Sequence, residues 1–249
     1  MIKLVDVTKA FDSQVVLNKL NLEVPTGKIT AVIGPSGEGK SVLLKHMIGL
    51  MRPDSGAVLV DGEDITRLGR SALNMVREKF GVLFQNAALF DSMTVYENVA
   101  FPLEEKTRLS PAEIRDKVHE ALEHVGLTGV DKKYPDELSG GMKKRVGLAR
   151  AVLLDPKIIL FDEPTTGLDP IICRATHQLI KDTHERFGFT AVIVSHEIPE
   201  IFDISDRVAM LYQGEILETG TPEDIQRSTH PVVRQFITGS LEGPIHLVK

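Results

Sequence analysis

The chain carries a single cysteine, Cys173, in 249 residues. An internal disulfide is therefore excluded, and a reducing compartment such as the cytosol fits. Cys173 falls in a helical pattern, where its expected role is small core filler. Also missing is any apolar run near the roughly 18–20 residues that a membrane span needs, so no bilayer crossing is expected. No internal repeat, low-complexity segment or sustained heptad pattern occurs. Positive charge is in deficit: the formal net charge is −6, which argues against broad electrostatic binding to nucleic acid. Met1 to Asp6 is too polar and too short for a signal peptide and reads as an edge strand. What is present is ordinary for a soluble protein, with 42% hydrophobic and 26% charged residues. The length suffices for one large domain or two modest lobes.

The first part is β-rich. Lys3 to Val7, Val15 to Val24 and Ala57 to Val60 alternate or cluster apolar residues between turn signals such as Asp54-Ser55-Gly56. From about residue 86 to 155 the signal turns helical. Ser110, Pro111 and Glu113 form a capping box with proline at the first helical position. Ile114, Val118, Leu122 and Val125 follow on one face, and Gly126 is a natural stop. Beyond Pro156, strands and helices alternate: a buried strand at Ile158–Phe161, helical spacing at Ile172, Ala175 and Leu179, and a buried strand at Ala191–Ser195. Such β-α-β alternation predicts a mostly parallel, doubly covered sheet with a helical insertion inside an α/β core.

The chemistry begins at residues 34–41, which read G-x-x-x-x-G-K-S: Gly34, Pro35, Ser36, Gly37, Glu38, Gly39, Lys40 and Ser41, with Val42 following. An apolar β-branched stretch, Ile29 to Ile33, precedes them, and Leu43, Leu44, Met47 and Leu50 keep helical spacing after them. A strand, a glycine-rich turn and a helix start make a phosphate cradle. The glycines admit backbone N–H groups to the oxygens, and the helix N-terminus adds favourable partial charge. Lys40 would reach the β/γ-phosphates and the Ser41 hydroxyl would sit on Mg²⁺. The expectation is a nucleoside triphosphate, held as its Mg²⁺ complex.

A second cluster turns a nucleotide binder into a hydrolase. Asp162 and Glu163 end the buried strand at Ile158–Phe161, the end of an α/β strand at which ligands bind. Asp162 would hold Mg²⁺ through water, and Glu163 could accept a hydrogen bond from the water attacking the γ-phosphate. Ser139 can cap the helix bearing Met142, Val146, Ala149 and Leu153. Two glycines in its first turn, Gly140 and Gly141, are poor helix formers; read alone, the segment is a tight loop-to-helix junction. His196 ends the strand at Ala191–Ser195, which should neighbour the strand of Glu163, and could contact the γ-phosphate or orient the water. Gln85 could bridge metal or water through its amide, though in isolation it carries no signal. His177 and His184, seven apart on a helix, would lie about 10 Å apart along its axis and make no metal pair.

In order, these segments resemble the ATP-binding cassette ATPase family. Gly34–Ser41 matches its Walker A loop, Gln85 the Q-loop, Leu138–Met142 the LSGGQ signature with methionine for glutamine, Ile158–Glu163 Walker B, Gly167–Asp169 the D-loop and His196 the H-loop. Phe11 sits where the family carries the aromatic that stacks on adenine. The resemblance implies a P-loop NTPase fold: a RecA-like core, an antiparallel β-subdomain and an α-helical subdomain, together spanning 1–222 with the helical part at about 86–155. A C-terminal helix and extended tail over 223–249 would follow. It also implies ATP and Mg²⁺ as ligands, Ser41, Gln85 and Asp162 at the metal, and Lys40, Glu163 and His196 in catalysis. Two cassettes would pair head-to-tail, so that Ser139, Gly140, Gly141 and Asp169 reach nucleotide bound on the other copy.

Within that family, residues 86–103 and 234–244 are similar to the Mla/Mce-associated group, which powers phospholipid movement between membranes. This implies a second copy of the chain, an integral-membrane permease and a lipid-binding MCE-type subunit as partners, and a peripheral place on the cytoplasmic face of the inner membrane. An importer of amino acids or other small solutes shares the architecture. A soluble cassette without a permease is disfavoured by the single cassette and the missing coiled coil. A nucleotide-sensing regulator would be favoured if hydrolysis were absent. The apolar run Ala87, Ala88, Leu89 and Phe90 reads either as a groove for a permease helix or as an anchor of the helical insertion.

Overall fold

The computed structural model describes residues 2–245. The chain opens with β1 (Ile2–Phe11), β2 (Gln14–Val24), β3 (Ile29–Ile33), α1 (Lys40–Met47), β4 (Ser55–Val60), β5 (Glu63–Asp64) and α2 (Arg70–Arg77). It continues through β6 (Phe80–Leu83), α3 (Val95–Lys106), α4 (Pro111–His124), α5 (Gly140–Val152), β7 (Ile158–Asp162) and α6 (Pro170–Phe187). It closes with β8 (Thr190–Ser195), β9 (Arg207–Tyr212), β10 (Glu215–Gly220), α7 (Pro222–Gln226) and α8 (Pro231–Thr238). Two compact units result: Met1–Glu78 with Thr190–Lys249, and Lys79–Phe189. Among the described residues no helix is long and apolar enough to cross a membrane.

In the first unit, β1 lies between β2 and β4 and is antiparallel to both. The edge-strand expectation is thereby corrected. Ile2 pairs with Val24 on one side and with Val60 on the other, so both hydrogen-bonding edges are taken. Buried Ile2, Leu4 and Val7 pack with Leu20, Val24 and Val58 to form an apolar face. The same unit sets β3 parallel to β8 on one side and β9 on the other, with β10 antiparallel to β9. All five side chains of β3 are buried, as are all six of β8. Central parallel strands read as continuous apolar runs for this reason.

The second unit pairs β6 and β7 in parallel, Leu83 opposite Phe161; α5 packs on β6, and α3, α4 and α6 each meet α5. It is broader than the expected helical stretch of 86–155, because β6, β7 and α6 cluster with the helices. Helix starts follow the sequence signals. Ser110 and Glu113 form a reciprocal capping box at α4, and Thr94 and Glu97 form another at α3.

The C-terminal stretch holds two short helices, α7 and α8, and residues 240–245 bend instead of extending. Gln235 folds that bend back: its amide nitrogen donates to the carbonyls of Ser240 at 3.3 Å and Ile245 at 3.1 Å, and its oxygen accepts from the Ile245 N–H at 2.6 Å. The last four residues, 246–249, lie outside the described residues, and with them the rest of the expected tail.

Candidate functional site

The phosphate cradle is built from β3 outward. Ile33 is bonded in register to Met210 of β9, and Gly34 leaves the strand against the carbonyl of Leu211. A Cβ on Gly34 would stand 2.2 Å from that oxygen, so only glycine fits. Gly39, at φ 90, occupies the left-handed region, and it N-caps α1 without any side-chain hydrogen bond. No acidic residue lies in the first turn of α1. The helix therefore presents backbone donors and the positive end of its dipole to the loop. Lys40 is 5% exposed, and its ammonium donates to the carbonyls of Gly34 at 2.9 Å and Pro35 at 2.8 Å. The cation thus lies across the loop that it is expected to share with phosphate. Glu38 turns its carboxylate to the Gln213 N–H. Pro35, Ser41 and Val42 are half-buried, while Ser36 and Gly37 are exposed.

Ile33 pairs with Ser195 of β8, so Gly34 and His196 leave adjacent parallel strands at the same end. His196 is exposed there. Phe11 ends β1 with 41% of its surface exposed, and the Lys9 ammonium stands 5.5 Å from its ring centroid.

In the second unit the parallel register of β6 and β7 brings Gln85 and Glu163 to one end. The Gln85 amide nitrogen donates to Glu163 Oε2 at 3.2 Å, and the Thr166 hydroxyl donates to the same oxygen at 3.1 Å. Glu163 has φ 48, a left-handed conformation that costs a side chain about 1 kcal/mol. Asp162 precedes it as the last residue of β7. Ser139 N-caps α5 and accepts from the Met142 N–H at 3.3 Å. A Cβ at Gly141 would approach Ile172 Cγ2 to 2.9 Å, so packing inside the chain also favours glycine there. Asp169 caps α6, accepting from the N–H groups of Ile171 at 3.0 Å and Ile172 at 3.1 Å.

Sequence reasoning passed over three residues of this unit. Thr166 orients Glu163. Lys144, buried on α5, donates to the carbonyls of Gln85 and Glu163. Arg150 donates to the carbonyls of Ala87 at 2.6 Å and Ala88 at 2.9 Å, two consecutive left-handed residues at φ 58 and 44. A signal for Lys144 existed: it stands four and seven residues before apolar Leu148 and Ala151, on a row that a helix buries.

A profile of the ABC transporter family matches residues 17–166. The chain belongs to the ABC transporter family. Among relatives of this ABC chain is the probable ribonucleotide transport ATP-binding protein mkl of Mycobacterium leprae. It is 47% identical over 96% of this chain and 69% of its own length. The intermembrane phospholipid transport system ATP-binding protein MlaF of Escherichia coli K12 is 43% identical over 96% of this chain and 89% of its own. A dimeric post-hydrolysis structure of the ATP-binding cassette MJ0796 with ADP and Pi superposes with a TM-score of 0.81. Identity is 34%, and coverage is 89% of this chain and 99% of that one. The ABC assignment carries the α/β P-loop NTPase fold and makes the chain an ATPase of that family.

Proposed function

We propose that this chain is the ATP-hydrolysing subunit of a transporter that moves phospholipid between membranes. The observation that carries the reading is the likeness to the phospholipid-transport ATP-binding protein, which runs through nearly all of both chains and well past the shared ATPase motifs. Two copies would pair head-to-tail, as dimeric structures of a related cassette support. The dimer would sit on the cytoplasmic face of the inner membrane under an integral-membrane permease, with a lipid-binding MCE-type subunit in the same complex.

Each assigned residue has a role its chemistry permits. Backbone N–H groups of residues 34–42 would hold the triphosphate, with Lys40 moving from loop carbonyls to the β/γ-phosphates. Phe11 would stack on adenine. Ser41, Gln85 and Asp162 offer only oxygen ligands, the donor set that Mg²⁺ takes; the ion would offset phosphate charge when bound. Glu163 would accept a hydrogen bond donated by the attacking water, and His196 would contact the γ-phosphate or orient that water. Ser139, Gly140, Gly141 and Asp169 would complete the site of the opposite copy.

A surface for the permease is supported by an apolar cleft of about 480 Å³ lined by Phe84, Ala88, Phe90, Phe101, Pro102 and Leu154 among others. Phe90 and Phe101 meet edge to face at 5.2 Å. Asn98 secures the Phe90 backbone, accepting from its N–H at 2.7 Å and donating to its carbonyl at 3.0 Å, while 43% of Phe90 stays exposed. A ring held open on an anchored backbone suits a helix-in-groove contact better than a core anchor.

A ribonucleotide cargo is the second reading, favoured by the name of the mycobacterial relative. Affinity purification of the tagged chain from membranes, followed by ATP-dependent transfer assays on the recovered complex, decides between them. Transfer of labelled phospholipid between vesicles is expected. Ribonucleotide uptake without lipid transfer would replace the first reading with the second.

A further inference from the structure

Gln85 and Glu163 are joined through their side chains, and the Thr166 hydroxyl meets the same carboxylate oxygen. Glu163 must turn to water, and Gln85 must turn its amide toward metal or water, before chemistry can occur. On those roles the bond between the two side chains would be exchanged during turnover, and a tie that leaves the side chains free would keep the loops aligned. A second tie has that form. Lys144 lies five residues after Ser139 on α5, about 7.5 Å along the axis, and is 6% exposed. Its ammonium donates to the main-chain carbonyl of Gln85 and, at 3.4 Å, to that of Glu163. These two acceptors are backbone atoms, so the bonds to them compete with nothing the side chains of Gln85 and Glu163 must do.

We infer that Lys144 is a positioning residue for hydrolysis, pinning the backbones of Gln85 and Glu163 to α5 while their side chains exchange partners. Two further observations fit. Glu163 is held at φ 48, where a free chain would not keep it. A buried ammonium is costly without hydrogen-bond acceptors, and the two carbonyls are acceptors that help lysine to be tolerated on an otherwise apolar row. Because Ser139 caps α5, the same helix would carry the signature serine and set the catalytic glutamate of its own subunit. The inference rests on the reading of Glu163 as the residue that orients water.

The test uses the full-length protein in its membrane complex. Lys144→Met removes the donors at nearly constant length, and Lys144→Arg restores a cation with several donors. Steady-state ATPase kinetics, ATP affinity and melting temperature are measured for both, beside Glu163→Gln. Lys144→Met is expected to lower kcat by about tenfold or more while KM and ATP affinity stay within about threefold, and Lys144→Arg to recover most of kcat. A lysine that merely stabilised the fold would lose affinity and stability together, with no split between kcat and KM. Wild-type kcat in Lys144→Met, or parallel loss of kcat and affinity, overturns the inference. If Lys144→Met fails to fold, Lys144→Gln, which reaches one carbonyl at a time, is judged by the same split. Hydrolysis by Glu163→Gln at the wild-type rate would sink the reading of Glu163 itself. An inert Glu163→Gln beside a fully active Lys144→Met would sink the Lys144 inference alone.

Discussion

The amide nitrogen of Gln85 donates a hydrogen bond to the Glu163 carboxylate across 3.2 Å. The residue expected to sense metal and the residue expected to orient water are thus in direct contact. Removing either partner should have a distinct signature. Glu163→Gln keeps the size and the contact but loses the base, so ATP binding is expected to persist while phosphate release falls by about 10²-fold or more. Gln85→Ala leaves the base and should lower kcat less, with a raised Mg²⁺ requirement. Equal loss in both variants would show that the pair acts only as a structural link. Phosphate release and nucleotide binding, measured over a Mg²⁺ series, separate these outcomes.

A composite site predicts a complementation pattern. A dimer joining a Lys40→Ala subunit to a Ser139→Arg subunit places both lesions in one site and leaves the other intact. A dimer in which one subunit carries both lesions spoils both sites. The first mixture is expected to retain about half of wild-type activity, or less where the sites are coupled, and the second almost none. Equal rates from the two mixtures would contradict head-to-tail pairing.

Phe90 offers a separation of stability from docking. Its ring is partly exposed beside Phe101 while Asn98 holds its backbone. Phe90→Ala should weaken permease pull-down by about 2 kcal/mol or more, with the melting temperature and ATP binding of the cassette little changed. A sharp fall in melting temperature with pull-down intact would make Phe90 a core anchor instead.

His46 predicts a pH dependence of folding. It lies buried on α1 with Nδ1 2.7 Å from the Val42 carbonyl, and among the described residues its Nε2 finds no well-formed hydrogen bond. Burial, with the Lys9 charge nearby, holds its pKa below the ordinary 6.5, against the opposing pull of the Val42 and Arg52 backbones and of Asp54. The folded state therefore takes up this proton later than the unfolded state as pH falls. Stability is expected to drop as pH passes downward through 6.5, until the folded histidine also protonates. Asp54, hydrogen-bonded by Lys9 and the Ala10 N–H, has its own pKa lowered and does not titrate in that window. His46→Gln should flatten the slope, read from denaturant midpoints between about pH 7.5 and 5.5. An unchanged slope would assign the pH dependence to other groups.

Much of this architecture was legible because local rules dictate it. Ser110, Pro111 and Glu113 mark a helix start through bonds within four residues, and α4 begins there. The phosphate loop is equally local: a buried strand, glycines and a helix in sequence. The place of β1 was not legible, since an alternating strand reads alike at an edge or between neighbours, and only pairing with distant Val60 decides it. Lys144 and Arg150 escaped for a related reason. A lysine or arginine on a helix reads as solvated until the carbonyls of residues some 60 positions away are brought against it. Thr166 shows the smaller version: its spacing from Glu163 is local, but which oxygen it meets depends on how the turn closes.

The left-handed backbone of Glu163 sets two kinds of selection against each other. Glycine and asparagine accept that conformation more readily than glutamate does. A mutant library sorted for thermal tolerance alone should therefore drift toward those residues at position 163, and the survivors should bind nucleotide without consuming it. Robustness and turnover are bred in opposite directions at a single Cα, so any stabilised version of this motor must be screened for phosphate release before it is trusted as a working engine.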